Sequence, residues 1–286
     1  MKVKLMAFIA DGVARADLLG IKSCTGNFSC ARCKIENYKD TQDPTKTWAP
    51  RTDAEARELS VRRDDYRKKL IKTEHFKNPA PLANIDGLDL VLDVPLDYVH
   101  CALLGIVRTL VEEWTDKGSS GFIGEETINA INKDLEALQK KKAVGFQKFP
   151  TELKNDWKAT ECRTVLFYIG PVLLKQYLDV HKYKNFMNLS GAIRIGVDPK
   201  HCQKEVPRMR RAIQDFLRGA HTLYSARTFV YNFHALTHLP DDVERFGSLD
   251  NSSAFPFEYR LFMLKTHQLR SIIRPAAAQL PKGKAS

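Results

Sequence analysis

Residues 96–114 read LDYVHCALLGIVRTLVEEW and form the first strongly apolar run of the chain. Apolar side chains recur in this run at intervals of three and four residues, which is the spacing of one face of an α-helix. The pattern predicts a helix that ends near Trp114. Asp97 is expected to cap its N-terminus, and His100 is expected to be a hydrogen-bonded histidine of the core.

The sequence that follows this run predicts a mostly helical block. Each segment repeats the helical spacing of apolar residues, and Gly-Pro or Ser residues mark an interruption or a start. The predicted helices cover 125–142, 163–180 with a break at Gly170-Pro171, 182–195, 206–223 and 256–273, the last capped by Ser252 or Ser253.

The sequence that precedes residue 96 is different in character. Val3–Ala10 is short and apolar and is followed by Asp11-Gly12, a pattern typical of a buried β-strand. A compact loop region with three cysteines follows at residues 17–34. Asp53 can cap a polar helix that runs to about Lys72.

Composition and charge restrict the class of protein. The 286 residues suffice for one large domain or two moderate ones, and no apolar run approaches the roughly 20 residues of a membrane span. The start of the chain is too short and too soon interrupted for a signal peptide, so an intracellular protein with reduced cysteines is expected.

The net charge of +11 indicates a polyanionic partner, usually a phosphate backbone. For any single patch, a solvated helix face remains the alternative. The excess lies at Arg62, Arg63, Arg67, Lys68 and Lys69, at Lys140, Lys141 and Lys142, and at Arg208, Arg210 and Arg211.

Two acidic residues are candidate ligands for a hard divalent cation. A carboxylate at the end of a strand, as predicted for Asp11, is held rigidly and can bind such an ion, although an Asp-Gly pair is more often a simple turn. Glu258 lies just inside the predicted last helix. It can interact with the helix dipole, or it can face Asp11 across the same metal site.

Cysteine and histidine pairs form a second candidate site. Cys30 and Cys33 have the C-x-x-C spacing that lets two thiolates bind one zinc ion. A redox pair would be expected at the start of a helix, but this pair follows a turn. His234 and His238 lie on one helix face and can complete a closed, structural Cys2His2 site.

Two unrelated histidines are the alternative to that site. A metalloprotease motif is excluded, because Ala235 stands where the general base would be.

These features, in this order, resemble the CACTA (En/Spm-type) DNA transposases and, more distantly, the catalytic subunit of the V(D)J recombinase. The resemblance covers nearly the whole chain, and the ordered set of motifs is more specific than any one of them. The matching stretches are the Asp11 strand, Gly26–Cys30 with Cys33, Asp97–Gly105, Trp157–Ala159 with Glu161 and Arg163, Tyr168–Pro171, Tyr231-Asn232 with His234 and His238, and Ser253–Glu258.

The resemblance implies an RNase H-like fold with a large helical insertion before the last catalytic acid. Asp11 would be the second acid of the D-D-E triad and Glu258 the third, and both would bind Mg²⁺. Cys30, Cys33, His234 and His238 would bind one Zn²⁺.

The first acid of the triad has no counterpart here, and the first strands of the sheet are missing as well. The fold expected is therefore α/β plus α, a partial RNase H-like core. Its four parts would be a strand with the C-x-x-C loop (1–37), a linker with a polar helix (38–95), the helical insertion (96–230), and the histidine pair with the final helix (231–286).

The function expected is that of a truncated DDE-type DNA transposase, inactive alone. Intact relatives cleave and join phosphodiesters with two Mg²⁺ ions. The alternative is a domesticated or decaying transposon remnant that binds DNA or protein without catalysis. The implied partners are DNA, the missing N-terminal part of the catalytic domain and a second copy of the chain, in the nucleus.

Overall fold

The computed structural model describes residues 6–38, 43–61, 75–141, 148–154, 156–225, 228–257, 260, 263 and 264. Helices dominate this part of the chain, and its β-structure consists of two isolated bridges, Ile21 with Phe76 and Cys33 with Pro50. The expectation of a partial α/β RNase H-like core is therefore wrong for the described residues, which contain no sheet.

The predicted strand Val3–Ala10 is the origin of that error. Its described part, residues 6–10, has no regular secondary structure and forms no β-bridge with the described residues, although Phe8 N donates to Asp93 O at 2.8 Å. A strand needs a neighbouring strand for its backbone N–H and C=O groups, and the described residues offer none here. Asp11 then begins helix α1, Gly12–Leu18.

A small hydrophobic cluster holds the N-terminal third together. It is built around α1, around α2 (Asp53–Val61) and around the 3-10 turn Pro81–Asn84. Its buried members are Ala16, Leu19, Ile21, Ala31, Ala56, Phe76, Leu82, Leu88, Leu90, Val91 and Val94. The patch from Arg62 to Lys69 and most of the predicted extension of α2 lie outside the described residues.

The helix predicted from residues 96–114 is confirmed, but its first part is wider than an α-helix. A π-helical segment, Val99–Val107, leads directly into α3, Arg108–Thr115. Asp97 accepts hydrogen bonds from Val99 N and His100 N at 3.3 and 3.2 Å, which is the capping role expected of it.

Five further helices complete the central block and confirm the predicted helical pattern, except that the break predicted at Gly170-Pro171 is absent: residues 159–176 are helical throughout. They are α4 (Glu125–Lys140), α5 (Ala159–Thr164), α6 (Gly170–Leu173), α7 (Val180–Val197) and α8 (Val206–Leu223), with a second π-helical segment, Val165–Ile169, and a 3-10 turn, Leu174–Gln176.

The two longest helices, α7 and α8, form an antiparallel hairpin. Asn185, near the start of α7, donates to Phe216 O at 2.7 Å, near the end of α8. A Cβ at Gly196, near the end of α7, would meet Met209, near the start of α8. The hairpin packs into the main hydrophobic core, in which Trp114, Phe186 and Phe216 are almost completely buried.

The chain returns toward its start through short helices: α9 (Tyr231–Ala235), a 3-10 turn (Leu236–His238), α10 (Leu239–Phe246) and a second 3-10 turn (Leu249–Ser252). Of the predicted last helix, residues 256, 257, 260, 263 and 264 are described and helical. No described helix combines the length and the hydropathy needed to cross a bilayer.

Candidate metal centre

A tight loop presents the two cysteines. Phe28 has a positive φ of 57° and donates its N–H to Glu36 O at 2.7 Å, which closes the loop around the C-x-x-C segment. Arg32 N donates to Cys30 Sγ at 3.3 Å, and Arg51 Nε donates to Cys30 O at 2.9 Å. These hydrogen bonds fix the conformation of the loop around Cys30.

Helix α9 and the 3-10 turn after it present the two histidines. The chain turns once between His234 and His238, so the two rings lie on one side, with centroids 5.0 Å apart. Thr237 Oγ1 donates to His234 O at 2.7 Å and stabilises the turn. The expected i, i+4 presentation of the histidines is confirmed.

The two pairs meet. One ligand atom from each of Cys30, Cys33, His234 and His238 lies within 4.8 Å of the other three. Cys30 Sγ lies 3.5 Å from His238 Nε2, Cys33 Sγ lies 3.2 Å from His234 Nε2, and the two Nε2 atoms are 3.2 Å apart. A tetrahedral site with bonds of about 2.0–2.3 Å has edges of about 3.3–3.8 Å. The set could therefore hold a metal ion such as zinc.

The acidity of the two thiols differs. Burial raises the pKa of Cys30, but hydrogen bonds from Cys33, His234 and His238 outweigh it and leave the pKa well below its ordinary value. The hydrogen bond to Cys30 and then burial raise the pKa of Cys33 far above its ordinary value. A second thiolate next to the first therefore needs a cation to neutralise it.

Asp241 orients one of the histidines. Its Oδ2 lies 3.7 Å from His238 Nδ1, so the Nε2 of the same ring faces Cys30. A carboxylate behind a histidine is a common support of metal ligands. Burial lowers the pKa of His238, but the contacts with Asp241 and Cys30 outweigh it and raise the pKa to about 9.

A buried ion pair lies directly behind the C-x-x-C loop. The Arg32 guanidinium contacts the Asp242 carboxylate, and the two side chains are 5% and 1% exposed. Asp242 Oδ2 also accepts from Leu96 N at 2.8 Å. This pair ties the cysteine loop to α10, the helix that follows the histidines, and sequence analysis missed it; an arginine between the two cysteines was the available signal.

The structure places Asp11 at the start of α1. Its Oδ1 accepts from Val13 N at 2.9 Å and from Ala14 N at 2.8 Å, which is the role of an N-cap. Glu258 lies outside the described residues, so the predicted proximity of these two acids stays a prediction.

Some basic side chains of the predicted patches form ion pairs with acidic residues, and others remain exposed. Arg210 pairs with Asp241 at 3.0 Å and with Glu244 at 3.5 Å, whereas Arg208 is 72% exposed and contacts Glu205 only at 3.7 Å. Arg211 is exposed on the same helix. Lys140 and Lys141 end α4, and Lys142 lies outside the described residues.

Fold and site together define a helical protein with a buried Cys2His2 cluster that joins its two ends. A scan of family models, a search of curated proteins and a search of solved structures each found no match. The resemblance to the CACTA transposases therefore rests on the sequence motifs given above.

Proposed function

We propose that Cys30, Cys33, His234 and His238 bind one Zn²⁺ as a structural ion. Two thiolates and two imidazoles suit zinc better than Mg²⁺ or Ca²⁺, which prefer oxygen ligands. Four protein ligands leave no open coordination position, unlike a catalytic zinc site. The ion would link positions 208 and 201 residues apart along the chain.

We further propose that this zinc-stabilised helical unit binds DNA, as a part of a CACTA-type transposase. The observation that carries the proposal is the meeting of the four ligands, because the resemblance assigns these four distant residues to one zinc site. The net charge of +11 and the exposed Arg208 and Arg211 support binding to phosphates.

Under this proposal, the 286-residue chain binds DNA but does not cut it. The two-metal mechanism places its ions with three carboxylates, and the resemblance identifies two of them, Asp11 and Glu258. Two carboxylates hold an ion loosely, whereas attraction between basic side chains and phosphates tolerates imprecise geometry.

A plasmid assay tests whether the chain cleaves DNA, and a binding assay tests whether it binds DNA. The purified zinc-loaded chain is incubated with supercoiled plasmid in Mg²⁺ or Mn²⁺, and its affinity for a labelled duplex is measured at several salt concentrations. We expect no nicking, and binding that weakens steeply with salt. The matched variant Arg208→Gln/Arg211→Gln should bind less tightly and show a smaller salt slope.

Two results would contradict this account. Nicking that disappears in Asp11→Ala would identify a complete catalytic site. Absence of salt-sensitive binding would argue instead for a decayed remnant with no role in nucleic-acid binding.

A further inference from the structure

A cleft with a volume of about 270 Å³ opens beside the Cys2His2 cluster. Cys33, His234 and His238 form part of its wall, and residues of segment 45–51, which is bridged to Cys33 through Pro50, form another part. The cleft is smaller than the roughly 300–1,000 Å³ pockets that enclose drug-sized ligands. It suits a single chemical group with part of the molecule that carries it.

The charged side chains that line the cleft are mainly cationic. Arg32, Lys46, Arg51 and Arg210 face one carboxylate, Asp241. Asp241 and Glu244 neutralise Arg210, and Asp242 neutralises Arg32 from behind. Lys46 and Arg51 form no such ion pair with the described residues, although the Cys30 thiol and the Glu55 carboxylate lie near enough to Arg51 to stabilise its charge.

Neither of these two cations has a carboxylate within 4.0 Å among the described residues. The guanidinium of Arg51 donates instead to the carbonyl oxygens of Cys30 and Phe28, at 2.9 and 3.4 Å. The ammonium of Lys46 lies 4.5 Å from the ring centroid of Trp48, which is half-buried in the same wall.

We propose that this cleft binds a phosphodiester group of a single nucleic-acid strand. Lys46 and Arg51 supply the charge, and Trp48 forms an apolar wall against which sugar or base can pack. The inference rests on the proposed DNA-binding function and names one site of contact for it.

Trp48 supplies the signal for the test. The other two tryptophans, Trp114 and Trp157, are each 1% exposed, so a change of tryptophan emission on adding a ligand reports on Trp48. The zinc-loaded chain is titrated at constant ionic strength with inorganic phosphate, with a deoxynucleoside 5′-monophosphate and with a short single-stranded oligonucleotide.

We expect the oligonucleotide to change the emission at the lowest concentration, because neighbouring phosphates add attraction outside the cleft. Lys46→Gln should weaken this binding about tenfold, the effect of losing one charge-assisted contact. Lys200→Gln is the matched control, since Lys200 is exposed and does not line the cleft. Arg51→Gln should weaken binding as well, with its zinc content checked because Arg51 also supports Cys30.

An emission change with phosphate or the mononucleotide but not with the oligonucleotide would overturn the assignment to a nucleic-acid strand. No change with any probe, or equal affinity in Lys46→Gln and in the parent chain, would overturn the site itself. Both results concern the cleft alone. The proposed DNA-binding function would still hold if duplex binding weakens with salt and if Arg208→Gln/Arg211→Gln reduces the affinity for the duplex.

Discussion

His75 is a buried histidine that the fold keeps neutral. It is 5% exposed, and its Nδ1 donates to Phe28 O at 2.5 Å. Burial, and then the nearby Arg51 guanidinium, lower its pKa from 6.5 to about 4. In the unfolded chain the same ring binds a proton at a higher pH than in the folded chain.

The stability of the fold should therefore decrease as the pH falls from 6.5 to about 4. In this window the unfolded state binds more protons, so the free energy of unfolding rises with pH. His75 alone should account for about 3 kcal/mol across the window.

Denaturant unfolding at several pH values measures this effect. Zinc ligands also gain protons in acid, so the informative quantity is the difference between the parent chain and His75→Gln. The variant should lose less stability over the window; equal losses would show that His75 does not titrate as the structure implies.

The ion pair of Arg32 and Asp242 should be far more sensitive to mutation than ion pairs at the surface. Asp242→Ala leaves the Arg32 guanidinium buried without its counter-charge and removes the acceptor of Leu96 N. The free energy of unfolding should fall by about 3–5 kcal/mol, as for other buried pairs that lose one partner.

Arg218→Gln is the control for this prediction. Arg218 and Asp215 are 3.3 Å apart, and both side chains are more than half exposed. Its loss should change stability by no more than about 0.5 kcal/mol in chemical denaturation. Similar losses in the two variants would mean that Arg32 does not need Asp242.

At the residue scale, the sequence predicted the metal ligands but not their support. Cys30, Cys33 and the histidine pair have recognisable spacings, because each pair binds from one local turn. Asp241 and Asp242 carry no such signal, because only the folded chain brings them to His238 and Arg32. Likewise, Lys46 and Arg51 of segment 45–51 line one cleft only in the folded chain.

At the scale of the secondary-structure element, both π-helical segments require a glycine at one position. Each contains or is followed by a glycine close to the carbonyl oxygen five residues earlier: a Cβ at Gly105 would lie 2.9 Å from His100 O, and one at Gly170 would lie 2.6 Å from Val165 O. Backbone cannot move aside as a side chain can, so both positions need glycine.

Gly170→Ala should lower the free energy of unfolding by about 1–3 kcal/mol, the usual cost of overpacking a filled interior. The same Cβ would also lie 2.5 Å from the ring of Phe186 in α7. Thermal or denaturant unfolding of the purified variant measures the loss.

Gly191→Ala is the matched control in the middle of α7. A Cβ there meets no atom within 4 Å. Alanine favours a helix interior by up to about 1 kcal/mol over glycine, so this variant should be as stable as the parent or more stable. A loss in Gly191→Ala that equals the loss in Gly170→Ala would contradict the packing described for Gly170.

Helix positions were the most predictable feature of the fold. The predicted 206–223 coincides with α8, and 182–195 falls within α7, because long periodic patterns depend on one continuous buried face. The strand predicted at Val3–Ala10 was wrong for its described part, residues 6–10, because a short apolar run shows hydrophobicity but not the partner strand that it needs. The π-helical turns leave no periodic signal of their own in the sequence.

At the scale of the whole molecule, the Cys2His2 cluster lies where the N-terminal cluster meets the helical core. The C-x-x-C loop packs against both hydrophobic clusters, with Ala31 in one and Cys30 and Cys33 in the other. An ion at this position would stabilise the folded arrangement by restricting two segments that are far apart in sequence.

X-ray absorption at the zinc K-edge of the purified, zinc-loaded chain tests this central claim most directly. The account predicts one zinc per chain, bound by two sulfur atoms at about 2.3 Å and two nitrogen atoms at about 2.0 Å. Cys33→Ser should lose a sulfur from that shell, and His238→Ala a nitrogen. Absence of bound zinc, or a shell of oxygen and nitrogen atoms without sulfur, would contradict the account.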